Sequence, residues 1–167
     1  RVKAQQEKFI VFIKKREFFD DYAHHPTEIK SVLKSLKLTS NGRKIISVFQ
    51  PHRYSRVSSL KKEFASSFSI SDLVLLCPIY PAGEKRDKNY KQDRFAKLIA
   101  KSSKVQVINV ENEKDLQKYL QKNCFVLERI SFFTIFKSFI NNANLAYAVS
   151  KVILSKQLIF KLSNDFK

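Results

Sequence analysis

Three polar stretches carry residue types able to hold a small anion: "DDYAHHP" at 20–26, "QPHRYSR" at 50–56 and "YPAGEKR" at 80–86. Arg53 and Arg56 stand three residues apart where a helix is expected to begin, so both guanidinium groups can point one way. Paired forks of this kind suit a carboxylate or a phosphate. His24, His52 and Glu84 would add groups that donate, accept or take up a proton. Each has an ordinary alternative. An arginine pair is more often a solvated face than a site. His25, next to Pro26, is expected to satisfy backbone groups and not to touch a ligand. No nucleophile–base arrangement, no metal-ligand spacing and no GxxxxGK[ST] loop occurs in the sequence.

The elements that must position these residues follow from periodicity. Pro26 suits a first helical turn, and Ile29, Val32, Leu33 and Leu36 repeat at the spacing of one buried face, so a helix is predicted over 26–38. The preceding acids and histidines would then lie at its N-terminus, where anions are favoured and where Asp is also a common cap. Short strands are predicted at 9–13 and 17–21, and apolar strands at 44–50, 72–80 and 105–110. Helices between and after them carry Leu60, Phe64 and Phe68, then Phe95, Leu98 and Ile99, then Leu116, Tyr119 and Leu120. Strand–helix alternation with continuously apolar strands predicts a parallel sheet covered on both faces. The three polar stretches fall at carboxyl ends of strands, where ligands gather in such sheets.

The pattern fails after Asn123. "CFVLE" is a candidate last strand, but "RISFFTIFKSFI" is crowded with aromatics and has no turn residue. Residues 124–141 are therefore expected to be the least well-packed part of the domain. Some of the rings of Phe125, Phe132, Phe133, Phe136 and Phe139 are expected to be exposed. "NLAYAVSKVIL" returns to helical spacing.

Composition narrows the function classes. The 167 residues, 44% of them hydrophobic, suit one domain. No apolar run reaches the length of a membrane span, and the start "RVKAQQEKF" has no apolar segment of a secretory leader. Cys77 and Cys124 are isolated, which points to a reduced, cytoplasmic compartment. The net charge of +17 would fit a nucleic-acid partner, but the lysines are scattered and not gathered in a stripe. Abundant Lys, Phe, Ile, Asn and Ser, with two Gly and no Trp, is also what A/T-rich coding produces. The sequence has no methionine, position 1 included, which leads to the expectation of a processed chain or a piece of a longer one.

Together, "DDYAHHPTEI", "FQPHRYSR" and "IYPAGE" resemble, in order and spacing, three motifs of the C-terminal domain of the Mur ligases, in the branch that joins L-alanine to UDP-N-acetylmuramate. The resemblance covers residues 1–123 and resumes at "NLAYAVSK". It implies an α/β, Rossmann-like three-layer domain with a mostly parallel sheet, one antiparallel strand and helices on both faces, with 124–167 as its divergent end. It implies that Tyr22, His24, His52, Arg53 and Arg56 form the L-alanine pocket, the arginines holding the carboxylate. It also implies that Asp21 helps to hold the nucleotide. ATP and Mg²⁺ serve the complete enzyme of that branch, and none is expected to be held by this chain alone. The expected partners are L-alanine, UDP-N-acetylmuramate and ATP, with N-terminal and central domains as candidate partners on separate chains.

The sequence departs from the pattern at "RVKAQQ", where the Mur ligases show Gly-Val-x-x-Arg-Phe and where Ala4 and Gln5 supply no charge. A glycine-rich turn expected after the last strand is also missing. Rival readings are a stand-alone module for a small anion or nucleotide, and a basic nucleic-acid-binding protein. On the first reading, this chain alone releases no phosphate from ATP and forms no UDP-N-acetylmuramoyl-alanine, because it lacks a phosphate-cradling loop. A coupled phosphate assay with product chromatography checks this, and product above background would refute it.

Overall fold

The runs rich in Val, Ile, Leu and Phe form strands, as the bulk of β-branched and aromatic side chains favours. The computed structural model describes residues 11–13, 16–21, 23–124 and 130–135. Its strands are β1 (Val11–Ile13), β2 (Arg16–Asp21), β3 (Lys44–Phe49), β4 (Leu73–Leu76), β5 (Gln106–Asn109) and β6 (Ile130–Ile135). They make one six-stranded sheet in the order β1-β2-β6-β3-β4-β5. β1 runs antiparallel to β2, and every other neighbouring pair is parallel. The helices are α1 (Pro26–Thr39), α2 (Tyr54–Ser59), α3 (Lys61–Ala65), α4 (Gln92–Ser103) and α5 (Glu113–Cys124).

Both faces of the sheet are covered, as the sequence predicts. Ile45, Phe49, Val74 and Leu76 join Ile29 and Leu33 of α1, Phe64 of α3 and Phe95 and Ile99 of α4 in one core cluster. Their alternating neighbours Ile46, Val48 and Leu75 point to the opposite face and are also buried. Leu116 and Leu120 of α5 are buried as well, outside that cluster. Lysines 34, 37, 61, 62, 97, 101, 114 and 118 are exposed on helix surfaces, so much of the charge is dispersed in solvent.

The structure differs from the prediction in three main respects. The strand predicted over 72–80 ends at Leu76, two residues before Pro78, which has no N–H for a ladder. The single helix expected to carry Leu60, Phe64 and Phe68 is broken at Leu60 into α2 and α3, and it ends at Ala65, before Phe68. Just before the break, Ser59 donates from its hydroxyl to the Ser55 carbonyl at 2.8 Å. The third difference is topological. The segment with no legible topology contains β6, which lies in the middle of the sheet and pairs with β3 over its whole length and with β2 from Ser131 to Ile135. "CFVLE" supplies no described strand: Cys124 ends α5, and 125–129 lie outside the described residues. The rings expected to be exposed lie outside the described side chains.

A central parallel strand has ladder bonds on both edges, so its amides should open only with the sheet. In hydrogen exchange, β6 amides are expected within about a factor of ten of those of β3. Exchange of β6 at loop rates would show that the strand is not seated.

Candidate functional site

The carboxyl ends of β3 and β4 run on beyond their last ladder residues as a matched pair of loops. Cys77 N–H donates to Phe49 O at 2.8 Å, Tyr80 N–H to Pro51 O at 2.8 Å and Arg53 N–H to Tyr80 O at 2.9 Å. His52 and Tyr80 form an isolated parallel bridge, and their rings lie 5.5 Å apart. Proline at 51, 78 and 81 restricts the backbone of both loops.

Arg53 then turns sharply. It precedes α2 at φ 68° and ψ 133°, a conformation that costs a non-glycine residue on the order of 1–3 kcal/mol. Its carbonyl accepts from Val57 N–H at 3.2 Å, which starts the helix. Arg56, in the first turn of α2, donates from Nη1 to Nδ1 of His52 at 3.1 Å. Since guanidinium can only donate, Nδ1 accepts and the ring proton sits on Nε2. His52 also meets the ring of His24 edge-on at 6.5 Å.

His24 arrives from the other side of β3, on the loop between β2 and α1. That loop is fixed by a capping box. His25 is the N-cap and accepts from Thr27 N–H, while Glu28 accepts from the N–H groups of His24 and His25 at 2.9 and 3.0 Å. The predicted role for His25, satisfying backbone groups, is therefore observed. Asp21, at the end of β2, is half-buried and accepts from Ala23 N–H at 2.8 Å. Tyr22 lies outside the described residues, as do Ala4 and Gln5.

Glu84 closes the cluster from the loop after β4. Its carboxylate accepts from Ser55 N–H at 3.1 Å and from the Ser55 hydroxyl. These Ser55 bonds hold the Glu84 carboxyl below its usual range, and the nearby Arg53 charge adds to the effect. His24, His52, Arg53, Arg56 and Glu84 are thus gathered as the sequence predicts. Arg56 faces His52 and is half-buried, whereas Arg53 is exposed, on the side of Glu84's charge.

The sequence reading passed over three contributors. Ser55 and Tyr80 act through contacts that only the pairing of the two loops creates. Gln50 is 6% exposed at the end of β3, and its side-chain carbonyl has no hydrogen-bond partner among the described residues. Cys77 is no nucleophile, since burial pushes its thiol up to about 12. Among the described residues, no group of three or more His, Cys, Asp or Glu side chains could hold a metal ion, and no helix is long and apolar enough to cross a membrane.

A family model described as the glutamate ligase domain of Mur ligases matches residues 8–127. The UDP-N-acetylmuramate–L-alanine ligase of Pelagibacter ubique is 46% identical over 125 residues, covering 74% of this chain and 27% of the relative. The ligase of the same name from Fusobacterium nucleatum is 43% identical over 110 residues, covering 65% of this chain and 22% of the relative. The chain spans about a quarter of the length of these relatives. Among solved structures, UDP-N-acetylmuramate-alanine ligase from Thermotoga maritima matches 91% of this chain with 30% of its own, at a TM-score of 0.59 and 22% identity, a likeness of fold.

The capping box that seats His24 gives a pH-dependent expectation. Burial opposes the charge of Glu28, but the His24 and His25 N–H groups and the two imidazoles outweigh it and hold the carboxyl below 4.5. A depressed carboxyl contributes stability above its unfolded value and loses it as pH falls through the folded one. Glu28→Ala should therefore cost about 1 kcal/mol at neutral pH, the size of a lost cap, with the difference shrinking below about pH 4. Urea unfolding of both proteins across pH measures it, and a pH-independent difference would rule the carboxylate out as the cause.

Proposed function

The chain belongs to the Mur ligase family, and from that premise we propose that it is the amino-acid-presenting C-terminal domain of a UDP-N-acetylmuramate–L-alanine ligase of peptidoglycan synthesis. The observation that carries this reading is the guanidinium–imidazole pair of Arg56 and His52, set beside Arg53 at the carboxyl ends of β3 and β4. Two guanidinium groups next to neutral imidazole suit an amino acid whose carboxylate must be held while its amine stays free to attack.

On this reading Tyr22, His24, His52, Arg53 and Arg56 bind L-alanine, and Asp21 serves the nucleotide side. In the complete enzyme, ATP with Mg²⁺, held by other domains, would supply the phosphoryl group that activates the muramoyl carboxylate, with ADP as the by-product. The alanine amine would then attack the activated carbonyl, the C–O bond to the phosphate would break to release inorganic phosphate, and the amine would lose a proton as the amide forms. The residues of this chain bind and orient the amino acid, and proximity is their contribution to rate. Domains that hold the UDP-sugar and the nucleotide are its partners, in the cytoplasm.

The arginines should contribute unequally. Arg56 is half-buried and already oriented by His52, so Arg56→Ala should weaken L-alanine binding by about 1.5–3 kcal/mol, as for a hydrogen bond to a charged group. Arg53 is exposed, and its alanine variant should cost up to about 1 kcal/mol. Arg56→Lys should not restore binding, since an ammonium does not reproduce the fork. Titration of the ¹⁵N-labelled chain with L-alanine, with acetate as a control, reads these affinities. The chain is also to be supplied with the part of the Pelagibacter ubique ligase that precedes the likeness, and L-alanine-dependent phosphate release is expected. Wild-type behaviour of both arginine variants in both assays would defeat the pocket assignment.

A further inference from the structure

We propose that Glu84 is a positioning residue: by clamping Ser55 it holds Arg53 in its left-handed turn and so sets the pose of the whole guanidinium–imidazole cluster. Arg53 is the residue that needs holding. Its φ of 68° is one that an arginine adopts only when its surroundings impose it. On its N-terminal side the imposition is visible in the bond from Arg53 N–H to Tyr80 O. On its C-terminal side it needs a fixed first turn of α2, and α2 has no side-chain cap of its own.

Glu84 supplies what that turn lacks. Ser55 is two residues beyond Arg53, and Glu84 takes both of its donors, the N–H through Oε2 and the hydroxyl through Oε1. A two-point attachment fixes direction as well as distance. Glu84 is itself aimed by a tight turn. Ala82 and Gly83 both lie at positive φ, 49° and 86°, and Glu84 N–H closes the turn on Pro81 O at 3.1 Å. Positive φ at both central residues is the signature of a type I′ turn. The loop after β4 therefore grips Arg53 from both sides, by Tyr80 O before it and by Glu84 after it. With Arg53 set, Val57 N–H finds its carbonyl and Arg56 comes round to His52.

The effect on ligand rests on the reading of the arginines as carboxylate holders, whereas the effect on the backbone does not. The test uses Glu84→Ala, Glu84→Gln and Ser55→Ala in the full chain, with two readouts. In Glu84→Ala the Ser55 amide should exchange at least about tenfold faster and the Arg53 amide resonance should move, with β3 amides unchanged. L-Alanine affinity should fall by about tenfold. Glu84→Gln keeps one acceptor and should recover part of both effects, and Ser55→Ala, which keeps the N–H bond, should be milder than Glu84→Ala.

Unchanged Ser55 exchange and Arg53 resonance in Glu84→Ala would overturn the proposal. So would a changed backbone with an unchanged affinity. If the wild-type chain itself shows no L-alanine binding, the functional reading fails, and exchange at Ser55 with the Arg53 resonance decides the clamp.

Discussion

Two backbone hydrogen bonds to Tyr80 organise everything that follows the sheet's central strands. One comes from Arg53 N–H to its carbonyl, the other runs from its own N–H to Pro51 O. They extend a parallel ladder past the point where Pro78 would have ended it, and they hold the two loops in fixed relation. Without them the chain after Phe49 would have no reason to reverse at Arg53. α2 would start elsewhere, and Arg56 would not meet His52. Side-chain chemistry at this end of the sheet is thus a consequence of main-chain pairing.

Much of this was legible in the sequence. Pro26 followed by Ile29, Leu33 and Leu36 marks α1, and the apolar runs at 44–50 and 105–110 mark β3 and β5 within a residue or two. The gathering of His24, His52, Arg53, Arg56 and Glu84 followed from strand ends alone, because parallel connectivity brings successive loops to one edge. The individual contacts were not legible. Nothing about an arginine signals a positive φ, and glycine, the residue that would have signalled it, occurs at two positions in the whole chain. Lys104 likewise ends α4 in the left-handed conformation with φ 52°, where glycine is the usual choice.

β6 was illegible for a different reason. A central parallel strand is specified by partners distant in sequence, here β2 and β3, and not by turns beside it. The run around 130–135 carries aromatics on successive positions and no flanking glycine, so local periodicity gives it no face. Its assignment needs the two empty strand edges that only the rest of the sheet supplies.

That placement has a consequence during synthesis. The hairpin of β1 and β2 and the block of β3, β4 and β5 share no strand pairing until β6 enters between them. Both parts are made before residue 130, and the facing edges of β2 and β3 stay unpaired until β6 has left the ribosome. Open edges invite pairing with other chains. The nascent protein therefore passes through an interval in which no strand pairing joins its two parts. Sheet closure waits for a segment more than eighty residues beyond the end of β3, a long-range step of the slow kind. A pause in translation before β6 has emerged from the ribosome would lengthen the most aggregation-prone stage of its life, and one after its emergence would not.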